Sequence, residues 1–244
     1  MKIRTNRLLG YDVSSLTMME TLQYVNYSIK NQLINQITVI NANKVYLADK
    51  IPKLKQIIQQ SQLVIPEQAF VIAGYILGRP LRERVSGIEL MEKILEVASS
   101  KKYKIFLLGG TQDVVSRLSE LCGRKYNAKI VGFSSGYFDD ESETHILNSI
   151  RKSKPDILFV ALGSPKQELW IHKFKHKLNV SISVGVGGSF DHIVGDKKQA
   201  PKWMRFGLEW VYRSIKDPRL WTRYATINPY FLVKILESRF FSDL

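Results

Sequence analysis

The chain has 244 residues, of which 45% are hydrophobic, enough for one large domain or two small ones with a packed core. Its formal net charge of +14 favours a polyanionic partner such as nucleic acid, an acidic membrane face or a phosphorylated substrate. Cys122 is the single cysteine, which excludes a disulfide framework within the chain. We expect neither a signal peptide nor a transmembrane helix, because no stretch is long and apolar enough.

Short apolar, β-branched runs alternate with longer amphipathic segments along the chain. The short runs predict buried strands at 37–40, 63–65, 103–108, 129–131, 157–161 and 180–186. The amphipathic segments predict helices at 44–59, 87–99, 112–126, 140–152 and 165–178. This alternation predicts an α/β fold with a mainly parallel sheet and helices on both faces. Ligands of such sheets bind at the carboxyl ends of the strands, so the site residues are expected there.

Glycines follow two predicted strands that lead directly into helices. Gly109 and Gly110 end "FLLGG", where free amides and the positive helix end favour an anion; a tight turn is the alternative. After "VALG", Pro165 is placed as the first helical residue, with Lys166 and Gln167 in the first turn. A lysine beside free helix amides is unfavourable for the helix, so a bound phosphate would explain it; chance placement is the alternative.

A third glycine turn follows the last predicted strand and leads into a basic, aromatic stretch. It reads "GVGGSFD" and carries Gly185, Gly187, Gly188 and Asp191. Phe190 stands where the dinucleotide fingerprint requires a small residue, and the chain has no P-loop motif. We therefore interpret this turn as a close backbone approach to some other ligand.

Metal-binding patterns are weak in this sequence. No Asp-x-Asp pair occurs that would hold a magnesium-bound diphosphate. His172 and His176 stand four residues apart on a predicted helix, a zinc-compatible spacing, but two polar residues on a solvated helix face are the simpler explanation. We expect no metal ion and no cofactor.

Glu67 is the carboxylate most suited to proton transfer. It follows a short predicted strand and precedes an apolar helix, so it is a candidate general base; a simple helix-start acid is the alternative. Further along, Arg79, Arg82 and Arg84 fall within six residues. Arg84 precedes a predicted helix start, where it could hold a phosphate, although a solvated basic loop is the alternative.

Seven motifs occur in order along nearly the whole chain: RVSG with EL (84–90), LLGG (107–110), GYF (136–138), GSPKQELW (163–170), GVGGSFDHIVG (185–195), APKWM (200–204), and GLEWVYR ahead of PRLWTRY (207–224). In this combination they resemble the WecG/TagA/CpsF glycosyltransferases of bacterial envelope polysaccharide synthesis. The resemblance implies an inverting, metal-independent enzyme with a Rossmann-like core, called GT-E. It implies transfer from a UDP-sugar to a polyprenyl-diphosphate-linked acceptor. The sugar is N-acetylmannosamine in members that make wall teichoic acid linkage units, and its uronic acid or a hexose in others.

The resemblance also implies roles for individual residues. Asn41 often follows the family's first strand, and the family's catalytic position usually reads Asp-Gly where this chain has Glu67 and Gln68. Glutamate adds about 1.5 Å of reach, and Val39 stands where a threonine is common. We interpret both departures as an altered donor or acceptor preference, with lost activity as the alternative.

The remaining site residues are expected to serve the leaving group and the substrates. Glycine amides, Lys166 and arginines would stabilise the UDP charge in place of a metal. Gln167 would hydrogen-bond the sugar or the acceptor, and Asp191 would orient the glycine turn.

Composition changes beyond Ala200, which divides the chain into a core, 1–200, and an appendage, 201–244. The appendage holds three of the four tryptophans and eight Lys or Arg against four acids. We predict a helical appendage that binds an anionic membrane surface, where Arg213, Arg219 and Arg223 meet lipid diphosphates. A helical cap packed on the core is the alternative. The enzyme would then be cytoplasmic and peripherally bound at the inner face of the cell membrane.

Two other classes compete with this reading. A nucleic-acid-binding protein would explain the charge, but the basic residues are dispersed and no recognition motif is present, so nucleic acid is not expected as a partner. A Rossmann-like methyltransferase would place its glycine-rich loop after the first strand, whereas the richest loop here follows the last. The sequence leaves the oligomeric state open, and a homo-oligomer is one alternative.

Overall fold

A six-stranded parallel sheet forms the centre of the computed structural model, which describes residues 3–196, 209–216 and 220–240, except for the side chains of residues 209, 210, 213 and 216. The strand order is β4-β3-β8-β7-β5-β6, and all pairs in this sheet are parallel. The six strands are β3 Asn35–Ile40, β4 Leu63–Pro66, β5 Lys104–Gly109, β6 Lys129–Ser134, β7 Ile157–Ala161 and β8 Ile182–Gly185. An antiparallel hairpin of β1 Thr5–Leu8 and β2 Tyr11–Ser14 precedes them.

Helices cover both faces of this sheet. In chain order they are α1 Met18–Lys30, α2 Ala42–Lys50, α3 Pro52–Gln59, α4 Gln68–Ile76, α5 Gly87–Lys101, α6 Gln112–Tyr126, α7 Asp140–Ser153, α8 Lys166–Leu178, α9 Ser189–Ile193, α10 Glu209–Lys216 and α11 Leu220–Phe240. One face packs on α1, α5, α6 and α9, and the other packs on α2, α3, α4, α7, α8 and α11. The predicted Rossmann-like α/β architecture is therefore confirmed.

The strands alternate their side chains between the two layers, although most are buried on both sides. Ile37, Ile105 and Val184 belong to the cluster beneath α5 and α6, whereas Ile40 and Leu158 belong to the clusters on the opposite face. Burial on both faces explains why the sequence shows continuous apolar runs rather than an alternating pattern.

The prediction of one helix at 44–59 is wrong, because α2 ends at Lys50 and α3 begins at Pro52. Proline has no backbone N–H and its ring clashes with the preceding turn, so it is tolerated at a helix start but not inside a helix. Ile51 lies between the two helices, and its N–H still bonds the carbonyl oxygen of Leu47. The prediction that Pro165 is the first helical residue is also wrong. Helix α8 begins at Lys166, and Pro165 occupies the capping position before it.

The hairpin and α1 were absent from the predicted elements. Each hairpin strand has only four residues, too few for a clear period, and Leu9 and Gly10 form the turn with positive φ angles of 51° and 82°. For α1 a signal was present, because Thr17 and Glu20 form a capping box at its start.

The C-terminal helix α11 packs on α2 and α4. Its buried residues Ile227, Phe231 and Ile235 are spaced four apart and therefore share one face. The Phe231 ring lies 5.6 Å from the Phe70 ring in α4. The longer of the two described helices of the appendage is thus packed on the core, while the predicted boundary at Ala200 lies outside the described residues. Within the described ranges, no helix is both long and apolar enough to cross a membrane.

Candidate active site

The carboxyl edge of the sheet gathers the predicted site residues from different strands. β3 and β8 are neighbours, but α2 follows β3 onto one face whereas α9 follows β8 onto the other. The two connections diverge, so a crevice opens at this edge, as expected at a topological switch point. Neighbouring strands lie about 4.8 Å apart, which places the ends of β4 and β8 about 10 Å apart across the end of β3.

Glu67 and Asn41 lie side by side at this edge. Ile40 pairs with Pro66, so the next residue of each strand is a neighbour of the other. Asn41 caps α2: its side-chain oxygen accepts the Lys44 N–H at 3.0 Å, while its Nδ2 donates to Glu67 Oε2 at 2.9 Å. Glu67 occupies the capping position of α4 but makes no side-chain capping bond. The carboxylate is thus oriented by Asn41 and half-buried, which suits proton transfer.

The turn after β8 is held by Gln167 from α8. Gln167 is 2% exposed, and its Oε1 accepts the Gly187 N–H at 3.0 Å. A Cβ atom at Gly185 would lie 2.6 Å from Gln167 Nε2, so glycine is required there for packing. A Cβ atom at Gly187 or Gly188 would instead enter open space, with only Asp191 Oδ2 within 4 Å of the latter. The Gly187 N–H therefore points into the protein, and the open side of the turn is where Cβ atoms at Gly187 and Gly188 would lie.

The ends of β5, β6 and β7 pack closely through glycine. Gly109 has a φ angle of 136°, and a Cβ atom there would lie 2.4 Å from the carbonyl oxygen of Ala161. The Gly110 carbonyl accepts the Gly136 N–H at 2.9 Å, which closes the turn after β6 onto β5. Gly163, after β7, has a φ angle of 74° and open space where a Cβ atom would be. The peptide bond between Ser164 and Pro165 is cis.

The predicted cationic residues occupy different environments. Lys166 is exposed at the start of α8 and has no ion-pair partner in the described part of the chain. The Arg84 guanidinium is paired with Glu89 in the first turn of α5. The start of α5 itself reaches the crevice, because a Cβ atom at Gly87 would contact Val39 and Val186 at 3.5 Å and 3.8 Å. Arg84 therefore stands beside the site with its charge already matched.

Three predicted cations belong to the appendage. Arg223 is exposed on α11. Arg219 lies outside the described residues, as does the side chain of Arg213 in α10.

The single cysteine and the first histidine of the predicted zinc spacing have shifted pKa values. Burial raises the pKa of the Cys122 thiol to about 12, so the thiol stays protonated and acts as an apolar filler. Burial, followed by the nearby charge of Lys175, lowers the pKa of His172. Over the described ranges, no group of three or more His, Cys, Asp and Glu side chains is close enough together to hold a metal ion.

A buried ion pair behind the site was not predicted. Lys44 Nζ lies 3.0 Å from Glu168 Oε1, and the two side chains are 5% and 2% exposed. Both residues lie in the first turn of their helices. From the sequence alone, a charged residue in that position is expected to be exposed to solvent.

The carboxyl edge of this Rossmann-like parallel sheet thus carries a carboxylate, an amide and three glycine turns, which is the arrangement expected of an α/β enzyme with its ligand at the strand ends. The family model described as Glycosyl transferase WecG/TagA/CpsF family matches residues 6–243. The chain belongs to this family, and its class of activity is glycosyl transfer.

Curated relatives cover nearly the whole chain. A protein of Bacillus subtilis (strain 168) is 33% identical over 98% of this chain and 93% of its own length. One from Staphylococcus aureus (strain MW2) is 33% identical over 95% and 92%, and one from Bacillus spizizenii (strain ATCC 23059 / NRRL B-14472 / W23) is 34% identical over 77% and 74%. Each relative is named N-acetylglucosaminyldiphosphoundecaprenol N-acetyl-beta-D-mannosaminyltransferase.

Proposed function

We propose that this glycosyltransferase moves N-acetylmannosamine, or a related sugar, from a UDP-sugar to a polyprenyl-diphosphate-linked acceptor in the synthesis of a bacterial envelope polymer. The observation that carries the proposal is the oriented carboxylate of Glu67 beside a crevice bordered by glycine turns. The names of the relatives support a lipid-diphosphate acceptor that ends in N-acetylglucosamine.

In this proposal, the reaction is a single displacement with inversion. The acceptor hydroxyl oxygen bonds to the anomeric carbon while the bond from that carbon to the UDP oxygen breaks, and Glu67 takes the hydroxyl proton. The negative charge that develops on UDP is stabilised by Lys166 and by the positive ends of the helices that begin after the strand-end turns, without a metal ion. Gln167 then acts by holding the glycine turn, since both ends of its amide are bonded within the protein.

A transfer assay tests this function. Purified protein is given a short-chain lipid-diphosphate N-acetylglucosamine acceptor and a panel of UDP-sugars in the presence of EDTA. We expect transfer from one or a few of the panel, with UDP-N-acetylmannosamine first. Transfer that requires a restored divalent metal would contradict the metal-free scheme, and no transfer from any donor would favour lost catalysis.

The diphosphate subsite is tested by two variants at the turns. Lys166→Ala should weaken UDP binding about tenfold or more, because it removes a charge-assisted contact. Gly188→Val should also weaken UDP binding, because the valine side chain would occupy the space proposed for the diphosphate. The fold itself should tolerate this change, since Gly188 has a φ angle of −73°, which any residue adopts, and a Cβ atom there would enter open space. Titration calorimetry with UDP in EDTA measures both effects.

Lys177→Ala is the matched control, since Lys177 is an exposed lysine at the other end of the same helix. Unchanged UDP affinity in both test variants would place the nucleotide elsewhere.

The direction of α11 supports a role for the appendage near the acceptor. Along α11, Tyr230 and Phe231 contact Tyr46 and Phe70, while Arg239, near its end, donates to the carbonyl oxygen of Ile76 at the end of α4. The helix therefore runs in the same direction as α2 and α4, which begin at the site. With a rise of about 1.5 Å per residue, its first turns extend about 10 Å past the level of Glu67. Arg223 belongs to these turns, and we place it on the open side of the carboxyl edge.

An exposed apolar surface, the tail face, lies on α11 and the neighbouring α4. It consists of Ile72, Tyr75, Leu232, Val233, Leu236 and Phe240, which are between 40% and 70% exposed. Such a surface suits the headgroup boundary of a bilayer, which supports the proposed peripheral binding at the inner membrane face, where the lipid-linked acceptor would be found.

Leu236→Glu/Phe240→Glu should reduce sedimentation with anionic vesicles about tenfold and lower transfer to a long-chain lipid acceptor equally. Transfer to a short-chain acceptor should stay the same, because neither residue belongs to the buried side of α11. Met19→Glu/Leu33→Glu is the control, since Met19 in α1 and Leu33 just after this helix are both exposed apolar residues, and α1 packs on the opposite face of the sheet. Wild-type sedimentation by the tail-face variant would remove this surface from membrane binding.

A further inference from the structure

The buried Lys44–Glu168 pair joins the two helices whose first turns flank the β3–β8 crevice. Lys44 belongs to α2 and Glu168 to α8, and their nitrogen and oxygen lie 3.0 Å apart. Removing two charges from water is costly, so a buried pair is weak evidence for a role in stability. A pair in this position needs another explanation.

The pair continues into a chain of hydrogen bonds that ends at the glycine turn. Glu168 Oε1 also accepts from Gln167 Nε2 at 2.7 Å, and Gln167 Oε1 accepts the Gly187 N–H at 3.0 Å. An ionised carboxylate can only accept hydrogen bonds, so it must face the NH₂ end of the Gln167 amide. This leaves the carbonyl end for Gly187. The charge on Glu168 therefore decides which atom of Gln167 meets the Gly187 N–H.

The other end of the chain lies at the candidate base. Lys44 Nζ donates to the carbonyl oxygen of Val39 at 2.6 Å, close to the end of β3. The same helix turn is capped by Asn41, which donates to Glu67. One connected network thus extends from the carboxylate to the glycine turn.

We propose that Lys44 and Glu168 are positioning residues: the pair fixes the orientation of the Gln167 amide and, through it, the conformation of the Gly187 turn that receives the donor diphosphate. The donor part of this inference rests on the proposed function. The orientation of the turn does not, since it exists in the free protein.

Neutralising both partners separates positioning from stability. Lys44→Met and Glu168→Gln singly should each lower the melting temperature by about 10 °C, because each leaves a buried polar or charged group without its partner. The double variant should recover to within about 3 °C of the wild type. Its Gly187 amide should nevertheless exchange hydrogen about tenfold faster, because a neutral amide in place of the Glu168 carboxylate no longer dictates which way Gln167 faces. UDP affinity should fall about tenfold in each single variant, and it should remain low in the double variant although the stability recovers.

Lys93→Met/Glu96→Gln is the control, because it removes an exposed pair on α5 and should leave exchange and affinity unchanged. Glu168→Asp provides a second test if the double variant does not fold, since it keeps the charge but withdraws the carboxylate from Gln167. Wild-type exchange at Gly187 in every folded variant of this series would overturn the inference. A wild-type protein that fails to bind UDP would refute the proposed donor and leave the exchange test intact.

Discussion

Replacing Glu67 by alanine is expected to lower the turnover number of sugar transfer about 100-fold or more, with UDP affinity little changed. Glu67 stands at the end of β4, is half-buried, and receives one hydrogen bond from Asn41. Without it, the attacking hydroxyl loses its proton acceptor, while the groups proposed for the diphosphate remain. Steady-state kinetics with the short-chain acceptor measure turnover, and calorimetry measures UDP affinity.

Two further variants separate the charge of Glu67 from its shape and position. Glu67→Gln keeps the length and an oxygen that can accept from Asn41, yet it should be nearly as slow as alanine, because an amide does not take the proton. Asn41→Ala should slow turnover by about tenfold, because the carboxylate remains but loses its orienting donor. Near-normal turnover in Glu67→Gln would remove Glu67 from the chemistry and leave it as a structural partner of Asn41.

Gly109→Ala is expected to destabilise the fold by about 4 kcal/mol, which corresponds to a melting temperature about 10 °C lower. The φ angle of 136° is one that side chains rarely adopt, and the new Cβ atom would lie 2.4 Å from the Ala161 carbonyl oxygen. That oxygen belongs to the neighbouring strand, so relief requires β5 and β7 to separate at their carboxyl ends. Urea unfolding and calorimetry measure the loss.

Two glycine variants serve as controls for this prediction. Gly163→Ala shares the positive φ angle but meets open space, so it should cost only the backbone strain, about 1 kcal/mol. Gly123→Ala lies inside α6 with no atom within 4 Å, and it should stabilise the protein by up to about 1 kcal/mol. If Gly109→Ala costs no more than Gly163→Ala, the close approach of the strands is not what requires glycine.

The departure from the family pattern at Glu67 and Gln68 has a structural setting. Gln68 is the first residue of α4, and the backbone there is helical, so glycine is not required for its conformation. Glu67 reaches Asn41 in the neighbouring strand, which holds the longer side chain in place. This arrangement agrees with a retained base rather than a lost one, and the Glu67 variants test it directly.

The local sequence determined most of the elements. Runs of β-branched and apolar residues are buried on both sides of a parallel sheet, so they stand out without any knowledge of the fold. The glycine turns could also be predicted from the sequence, since only glycine adopts positive φ angles freely, as Gly109, Gly110 and Gly187 do here. Asn41 and Glu67 could be identified as residues that follow strands, although their hydrogen bond could not. The motifs in their order indicated the family.

Only the tertiary structure decided how these elements meet, because contacts between strands distant in sequence leave no local pattern. The order β4-β3-β8-β7-β5-β6 places Asn41 beside Glu67 and the last strand beside the first of the central sheet. The same strand order brings Lys44 and Glu168 together as a buried ion pair, although each looks like a solvated charge in the sequence. The local sequence cannot show this, because each charge is compensated by a residue more than one hundred positions away. Likewise, α11 reads as a basic, aromatic tail, but its four-residue apolar spacing meets a matching surface on α2 and α4, and burying that surface packs it on the core.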